Sequence, residues 1–191
     1  LENFNFKAFL EDKYHIHSFI EHDTNSLLET YRYQYQAERA SVCVARVVSG
    51  IGFSISINGQ SVEDFGATDF GHSIVQPIDG ALCKCGSKGC LEAYSSSEGL
   101  VSRTGVSDFS VIEANRDAYR KYLDEGAFYL GVTFANVAKI FNLSRVVVTG
   151  SVIGDDEKMF EKIKEAFYEF SKAKDIELTY IKKLTPSYGV A

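Results

Sequence analysis

Segments with helix-like apolar spacing alternate with short apolar runs along this chain. Helical spacing, in which every third or fourth residue is apolar, covers residues 4–14, 24–39, 94–103, 108–124, 125–141 and 155–173. Alternating or continuous apolar runs predict strands at residues 17–21, 41–49, 53–57, 145–149 and 176–184. The last of these strands carries lysines, so we expect it at an edge of the sheet.

Glycines and polar residues mark the boundaries between these elements. Residues 50–52 (Gly-Ile-Gly) predict a tight turn, and residues 58–59 (Asn-Gly) are a strong hairpin signal. Asp23 or Thr24 is expected to cap the helix that follows it. The strand–glycine–helix unit around Gly150 is of a kind found throughout α/β proteins.

The composition is that of an ordinary globular protein and limits its partners. The 191 residues are enough to bury a sizeable core, and an apolar content of 45% argues against a disordered or fibrous class. No apolar run is long enough to cross a bilayer, so we expect no membrane partner. A net charge of −6 without a Lys/Arg cluster argues against this chain binding nucleic acid by itself. Because the chain starts with Leu1 rather than methionine, we expect a piece of a longer protein.

One short stretch carries a complete set of metal ligands. His72 precedes three cysteines, Cys83, Cys85 and Cys90, which lie within eight residues. Three thiolates and one imidazole form a tetrahedral set that zinc prefers, and a site with four protein ligands is structural rather than catalytic. The alternative is buried or disulfide-bonded cysteines, but Cys-x-Cys is awkward geometry for a disulfide and leaves an odd thiol. The remaining cysteine, Cys43, lies in a predicted strand and is expected to be a core thiol.

Two carboxylates flank this predicted zinc loop. Asp69 lies three residues before His72, and Glu92 lies two residues after Cys90. Carboxylates next to a rigid loop are suited to accept hydrogen bonds from the hydroxyls of a polar ligand such as a sugar. For Asp69 the alternative is a solvated loop carboxylate.

The same stretch resembles the zinc motif of the ROK family. That motif, Gly-His followed by Cys-x-Cys-Gly-x-x-Gly-Cys-x-Glu, is matched at residues 71–72 and 83–92. ROK proteins are bacterial sugar kinases and sugar-responsive repressors, and the resemblance runs along the whole chain. It implies an α/β fold of the actin/hexokinase-like (ribonuclease H-like) class, in which this chain is the larger lobe with a zinc-binding loop and the N-terminal lobe is missing. Residues 1–191 would then form a single C-terminal sugar-binding domain, a fragment of a longer chain.

The resemblance also implies which residues bind the sugar. ROK kinases carry Glu-Asn-Asp-Ala-Asn-Ala at the end of a strand, and its Asp is the base that takes the proton of the hydroxyl being phosphorylated. Asp23 falls on that base and Asn25 on the second Asn, whereas His22 replaces the first. Without the resemblance, Asp23 is interpreted as a helix N-cap. The implied sugar contacts are His22, Asp23, Asn25, Asp69, His72 and Glu92.

Two glycine turns correspond to the ATP-binding parts of ROK kinases. In the family, Gly-Thr-Gly-Ile-Gly-x-Gly lies over the ATP phosphates, because backbone N–H groups approach phosphate only where side chains are absent. Ser49, Gly50 and Gly52 match this motif, but the bulky Phe53 stands where the family has a small residue or glycine. Gly150 matches the adenosine-side motif, usually three glycines, although a threonine and a serine flank it here.

Two functions follow from these matches. The eroded glycine turns favour the sugar-sensing effector domain of a ROK-type transcriptional repressor with a structural Zn²⁺, whose DNA-binding domain would precede Leu1. The alternative is a ROK hexose kinase that uses ATP and Mg²⁺, with Asp23 as base. The family's first phosphate loop, Asp-x-Gly-Gly-Thr, does not occur here, so this chain alone is not expected to be active. The resemblance implies a homodimer, and cysteines used for metal suit a reducing cytoplasm.

Overall fold

A five-stranded mixed sheet forms the centre of the molecule. The computed structural model describes residues 4–18, 20–62, 69–172 and 175–185. Its strands are β1 Val42–Val47, β2 Ile51–Ile57, β3 Gln60–Ser61, β4 Arg145–Thr149 and β5 Glu177–Tyr180. Their order across the sheet is β3-β2-β1-β4-β5, with β2 antiparallel to β1 and with β1, β4 and β5 parallel.

Helices pack on both faces of this sheet. They are α1 Phe6–Tyr14, α2 Asp23–Gln34, α3 Leu91–Ser95, α4 Ser97–Thr104, α5 Phe109–Ala114, α6 Arg120–Ile140 and α7 Glu157–Ser171, together with a 3-10 helix at Phe70–His72. Alternation along β1 divides the core, because successive side chains point to opposite faces. Cys43, Ala45 and Val47 join the large core with α6 and α7, whereas Val42 and Val44 pack with the buried side of α2. Cys43 is fully buried, as expected for a core thiol.

Several predicted boundaries match the structure closely. Asn58 and Gly59 have φ angles of 50° and 86° and form the turn between β2 and β3, as the Asn-Gly signal predicts. The helix predicted at residues 94–103 ends close to its expected position, at Thr104, but α4 begins only at Ser97, because Ser96 is extended and caps the helix by accepting the N–H of Gly99 at 2.9 Å. The final strand lies at an edge of the sheet, although β5 is shorter than predicted. Ala173, the predicted end of the helix that includes α7, lies outside the described residues.

The predicted strand at residues 17–21 is wrong. Its described residues, which exclude Phe19, have no strand conformation. A strand needs a neighbour to complete its hydrogen bonds, and the sheet of the described residues does not include this segment. Ile20 is 63% exposed, so the apolar half of the pattern is not buried either.

The boundaries of α2 differ from those expected. The helix begins at Asp23, with His22 in the N-cap position, so Asp23 and Thr24 lie in the first turn rather than at the cap. It ends at Gln34 instead of residue 39, since Gln36 adopts a left-handed conformation with φ 50°. Arg32 donates to the carbonyls of residues 38 and 59, which holds the segment after the helix against the β2–β3 turn.

The helix predicted at residues 108–124 is interrupted. It stops at Ala114, and α6 begins only at Arg120. Between them, Arg116 donates to the Val152 carbonyl at 2.7 Å and to Asp156 at 3.0 Å, two partners far away in the sequence. These tertiary contacts stabilise a turn in a segment for which apolar spacing alone predicts a helix. Similarly, β2 begins at Ile51, so the turn predicted at residues 50–52 lies at residues 48–50.

No helix in the described part of the chain has the length and apolar character needed to cross a membrane.

Candidate zinc centre and ligand site

Four potential zinc ligands converge on one point. His72 ends the 3-10 helix, Cys83 and Cys85 lie in the following loop, and Cys90 immediately precedes α3. Their ligand atoms all lie within 4.8 Å of one another. Cys83 Sγ is 3.5 Å from His72 Nδ1, and Cys85 Sγ is 3.7 Å from Cys90 Sγ. A tetrahedral zinc ion with ordinary bond lengths separates its ligands by about 3.5 Å (N to S) and about 3.8 Å (S to S), so this cluster could hold zinc.

Backbone and hydroxyl contacts hold the loop in this arrangement. The Gly89 N–H donates to the Ala81 carbonyl at 2.8 Å, and the Ala81 N–H donates to the hydroxyl of Tyr94 on α3, also at 2.8 Å. Gly89 has a φ of 83°, and a Cβ there would lie 2.0 Å from the Gln76 carbonyl oxygen. Glycine is therefore required at this point of the loop.

The thiols of the cluster differ in acidity. A backbone hydrogen bond from Ser87 lowers the pKa of Cys85 to about 7. Burial raises the pKa of Cys90 to about 12, and the neighbouring thiols of Cys85 and Cys83 add to the effect. A cation among the sulfurs would offset both burial and thiolate repulsion, because zinc binds the thiolate form. The donor set therefore fits zinc chemically as well as geometrically.

Asp69 lies on the outer side of His72. Because His72 Nδ1 faces the sulfurs, Nε2 is left to face Asp69, whose nearer oxygen is 4.0 Å away. This separation is longer than a hydrogen bond. The Asp69 side chain is 76% exposed, so its carboxylate is available to a ligand or, after a small shift, to the imidazole.

Glu92 connects the zinc loop to the start of β2. It lies in the first turn of α3 and is 6% exposed. Its Oε2 accepts the N–H of Ile51 at 3.0 Å. Its Oε1 is buried, makes no hydrogen bond among the described residues, and lies 3.4 Å from Lys84 Nζ. Lys84 also donates to Glu98 at 3.0 Å, and that bond is the main cause of the raised pKa of Lys84.

Side chains of α2 and α3 pack directly against the glycine turn. A Cβ at Gly50 would lie 2.7 Å from Glu92 Oε2, and one at Gly52 would lie 2.4 Å from Thr24 Oγ1. The amide between the two glycines, that of Ile51, already donates to Glu92. Protein side chains thus already occupy the space next to both glycines, independently of any phosphate. Ser49, which precedes Gly50 in the predicted phosphate turn, is exposed.

Phe53 does not crowd this turn. It is 3% exposed, and its ring centroid lies 5.4 Å from that of Phe70 and 5.8 Å from that of Phe134. The side chain therefore points into the large core, away from the backbone that could approach a ligand.

Asp23 is held by its neighbours through both carboxylate oxygens. Oδ1 accepts from Thr24 Oγ1 at 3.3 Å and lies 3.2 Å from His22 Nδ1. Oδ2 forms an ion pair with Arg46 of β1. The sequence reasoning did not identify Arg46. An arginine inside the otherwise apolar run at residues 42–48 is the signal that points to it.

The amide of Asn25 is also engaged. Its Oδ1 accepts the hydroxyl of Ser54 on β2 at 2.8 Å, and its Nδ2 donates to Glu21 at 2.8 Å. Asn25 is therefore held against the same strand as Gly52.

The elements that carry the predicted sugar contacts pack along the beginning of β2. From α2 come Asp23 and Asn25, which flank the Thr24–Gly52 contact. From the other side come Glu92 and the 3-10 helix, where a Cβ at Gly71 would lie 2.4 Å from the Ile51 carbonyl oxygen. The zinc loop and the start of α2 thus meet at residues 50–54.

The predicted adenosine-side turn lies beside the same strand ends. Gly150 has a φ of 131°, and a Cβ there would lie 2.0 Å from the Val47 carbonyl oxygen. An open pocket of about 700 Å³ adjoins this turn and is lined by Arg116, Tyr180 and Lys182, among others.

The family model for the ROK family matches residues 1–185. This chain belongs to the ROK family. It is 28% identical over 148 residues to a glucokinase from Halalkalibacterium halodurans, covering 64% of this chain and 45% of the relative. It is 24% identical over 170 residues to a xylose repressor from Bacillus spizizenii, covering 83% of this chain and 44% of the relative. The chain therefore spans less than half the length of these relatives.

The fold is that of the ROK sugar kinases. The structure superposes on the crystal structure of a ROK hexokinase from Thermus thermophilus with a TM-score of 0.79, covering 94% of this chain and 67% of that one at 23% identity. The actin/hexokinase-like α/β fold expected from the zinc motif is thereby confirmed. Kinases and repressors share this fold, so function depends on the site itself.

Proposed function

We propose that this chain is the sugar-sensing effector domain of a ROK-type transcriptional regulator with a structural zinc ion. The observation that supports the proposal is that protein side chains occupy the glycine turn at residues 50–52. The Ile51 amide, which lies between Gly50 and Gly52, is bonded to Glu92, and Thr24 fills the space in front of Gly52. A phosphate cradle needs free N–H groups and no intervening side chains, so this arrangement favours a site that binds a sugar without ATP.

In this proposal zinc shapes the site without contacting the sugar. Its ligands would be His72, Cys83, Cys85 and Cys90, a closed set that leaves no coordination position for a substrate. Cys90 is two residues from Glu92, so fixing the metal ligands also fixes the carboxylate that meets the Ile51 amide. The chemistry that zinc supplies is structural.

The sugar would be bound by acceptors from both sides of the β2 start. The carboxylates of Asp23 and Asp69 are exposed to solvent, and Glu92 Oε1 lacks a hydrogen bond among the described residues. His22, Asn25 and His72 complete the proposed set. Each can accept or donate a hydroxyl hydrogen bond. Binding would then change the population of a closed state and, through it, DNA binding by a segment outside this sequence. We further expect a dimer in the cytoplasm.

The second candidate is a ROK sugar kinase. Two observations favour it: Asp23, which the family resemblance aligns with the base, has a partly exposed carboxylate at the start of α2, and the open pocket beside Gly150 is large enough for part of a nucleotide. In that case Arg46 and His22 would have to release the Asp23 carboxylate before it could accept a proton from a sugar hydroxyl.

One experiment separates the two functions. The full-length protein is titrated calorimetrically with glucose, mannose, xylose, N-acetylglucosamine and their phosphates, and ATP hydrolysis is measured with the same panel. We expect saturable binding of one sugar, weakened in Asp23→Asn, without sugar-dependent hydrolysis. Sugar-dependent ATP turnover that Asp23→Asn abolishes would establish the kinase instead. If no member of the panel binds, the sugar-sensing function is rejected.

A further inference from the structure

Arg46 places a fixed positive charge beside the predicted sugar carboxylate. It lies near the carboxyl end of β1, paired with Gly52 on one side and Thr149 on the other. Its neighbours in alternation, Val42 and Val44, face α2, so Arg46 projects to the same side as Asp23. The ligand crevice of an open α/β sheet lies outside these strand ends.

The guanidinium retains donors that Asp23 does not use. A guanidinium has five N–H donors in a planar fork, and the recorded contact to Asp23 is made through Nη1. The side chain is 38% exposed, so part of it is accessible to solvent. Arginine forks match the oxygens of phosphate and carboxylate groups in two parallel hydrogen bonds.

Other polar groups surround the same point. His22 Nδ1 lies 3.2 Å from Asp23, and the imidazole is 78% exposed. The N-terminus of α2, a 12-residue helix, carries a partial positive charge, and the His22 side chain makes no capping bond there. Glu21 Oε1 accepts the backbone N–H of His22 at 2.7 Å, so the carboxylates of Glu21 and Asp23 already lie at this N-terminus, and a further anion would depend on the unused donors of Arg46.

The ion pair between Arg46 and Asp23 bears on whether a sugar phosphate can bind here. The hydroxyl that Asp23 would face is the one a kinase phosphorylates, and a phosphate on that oxygen is repelled by a nearby carboxylate. An arginine bound to that carboxylate, with unused donors, removes the repulsion and supplies hydrogen bonds to the phosphate. We propose that Arg46 is a specificity-determining residue that makes this site bind a sugar phosphate in preference to the free sugar. The proposal rests on the proposed sugar-sensing function and names its ligand class.

The test compares sugars that differ only in the phosphate. The full-length protein is titrated with glucose and glucose 6-phosphate, xylose and xylose 5-phosphate, and N-acetylglucosamine and its 6-phosphate, with glucuronate as an anion of different geometry. For the sugar that binds, we expect the phosphorylated form to bind roughly ten- to hundred-fold more tightly. Arg46→Gln should reduce that ratio to about one, and a loss of affinity common to both forms of the sugar cancels in the ratio.

A matched control distinguishes Arg46 from arginines in general. Arg145 lies on the neighbouring strand β4, is 37% exposed, and is also paired with a carboxylate, that of Glu177. Arg145→Gln should leave the phosphate preference unchanged, and the melting temperatures of both variants report whether they fold.

The possible outcomes test the role of Arg46 separately from the proposed sugar-sensing function. Free sugar bound as tightly as its phosphate by the wild type overturns the inference and leaves the sensor intact. A phosphate preference that survives in folded Arg46→Gln also overturns it, as does tighter binding of glucuronate than of any phosphate. Absence of binding by every probe rejects the sugar-sensing function itself.

Discussion

Replacing Gly50 by alanine should destabilise the protein only while Glu92 is present. The new Cβ would lie 2.7 Å from Glu92 Oε2, whereas ordinary contacts begin at 3.4 Å, so the carboxylate must retreat by about 0.7 Å. The 3.0 Å bond from the Ile51 N–H would then lengthen to about 3.7 Å, beyond hydrogen-bond distance. Losing a buried bond to a charged group costs roughly 1–3 kcal/mol. Gly50 has no positive φ, so alanine adds no backbone strain.

The assay is a double-mutant cycle measured by urea unfolding in zinc-saturated buffer. The free energies of unfolding of the wild type, Gly50→Ala, Glu92→Ala and the double variant are compared. With the carboxylate removed, Gly50→Ala should be neutral or slightly stabilising, giving a coupling energy of roughly 1–3 kcal/mol. Gly52→Ala is the control, because its Cβ meets Thr24 and not Glu92, and its cost should be the same in both backgrounds.

An equal cost of Gly50→Ala with and without Glu92 would refute this reasoning. The glycine would then be required by something other than the carboxylate, and close approach of a phosphate would become the better explanation. The cycle therefore bears on function as well as on stability, since it asks whether protein or nucleotide dictates the glycine.

Two further predictions concern the metal and the start of α7. Cys85→Ser should have less zinc than the wild type in elemental analysis and a lower melting temperature. The control Cys43→Ala, which alters a core thiol away from the cluster, should keep one zinc per chain. Full zinc content in Cys85→Ser would contradict the site. At the start of α7, burial opposes the charge of Asp156, but the Met159 N–H and the Arg120 and Arg116 guanidinium groups hold the pKa of this carboxyl below its ordinary 3.8. The charged carboxylate of Asp156 therefore stabilises the fold above that ordinary value, and this stabilisation is lost as the pH falls through the lower native pKa. Below about pH 4 the melting temperature of Asp156→Asn should fall less steeply with pH than that of the wild type. The same dependence of melting temperature on pH in both proteins would contradict this prediction.

Local patterns carried most of the sequence prediction, and long-range contacts account for its errors. The four residues of the cluster that could hold zinc lie within 19 residues, so their spacing alone was enough to propose the site. The turn at residues 58–59 is likewise local, since Asn and Gly adopt positive φ angles readily. By contrast, the interruption before α6 depends on Arg116 and its partners around residue 156, 36 to 40 residues away in the sequence. Apolar periodicity contains no information about such a pair.

The same distinction applies within the ligand site. Asp23 could be proposed from its motif, but its ion pair with Arg46 joins residues 23 positions apart on a helix and a strand. Only the register of β1 against β2 brings Arg46 opposite Gly52, beside the start of α2. The predicted strand at residues 17–21 failed for the related reason that alternation describes a side-chain pattern and does not supply a neighbouring strand.

A continuous set of contacts joins the predicted metal site to Asp23, the carboxylate that would bind the sugar. Cys90 leads directly into α3, whose Glu92 accepts the Ile51 N–H. One residue further along β2, Gly52 packs against Thr24, whose hydroxyl donates to Asp23. Because each step is a close contact within a packed interior, a displacement of the zinc loop must be absorbed at the glycine turn. A zinc ion bound by this cluster would therefore matter to the site even with no chemistry passing through it, since it would fix the position of one side of the site relative to the other.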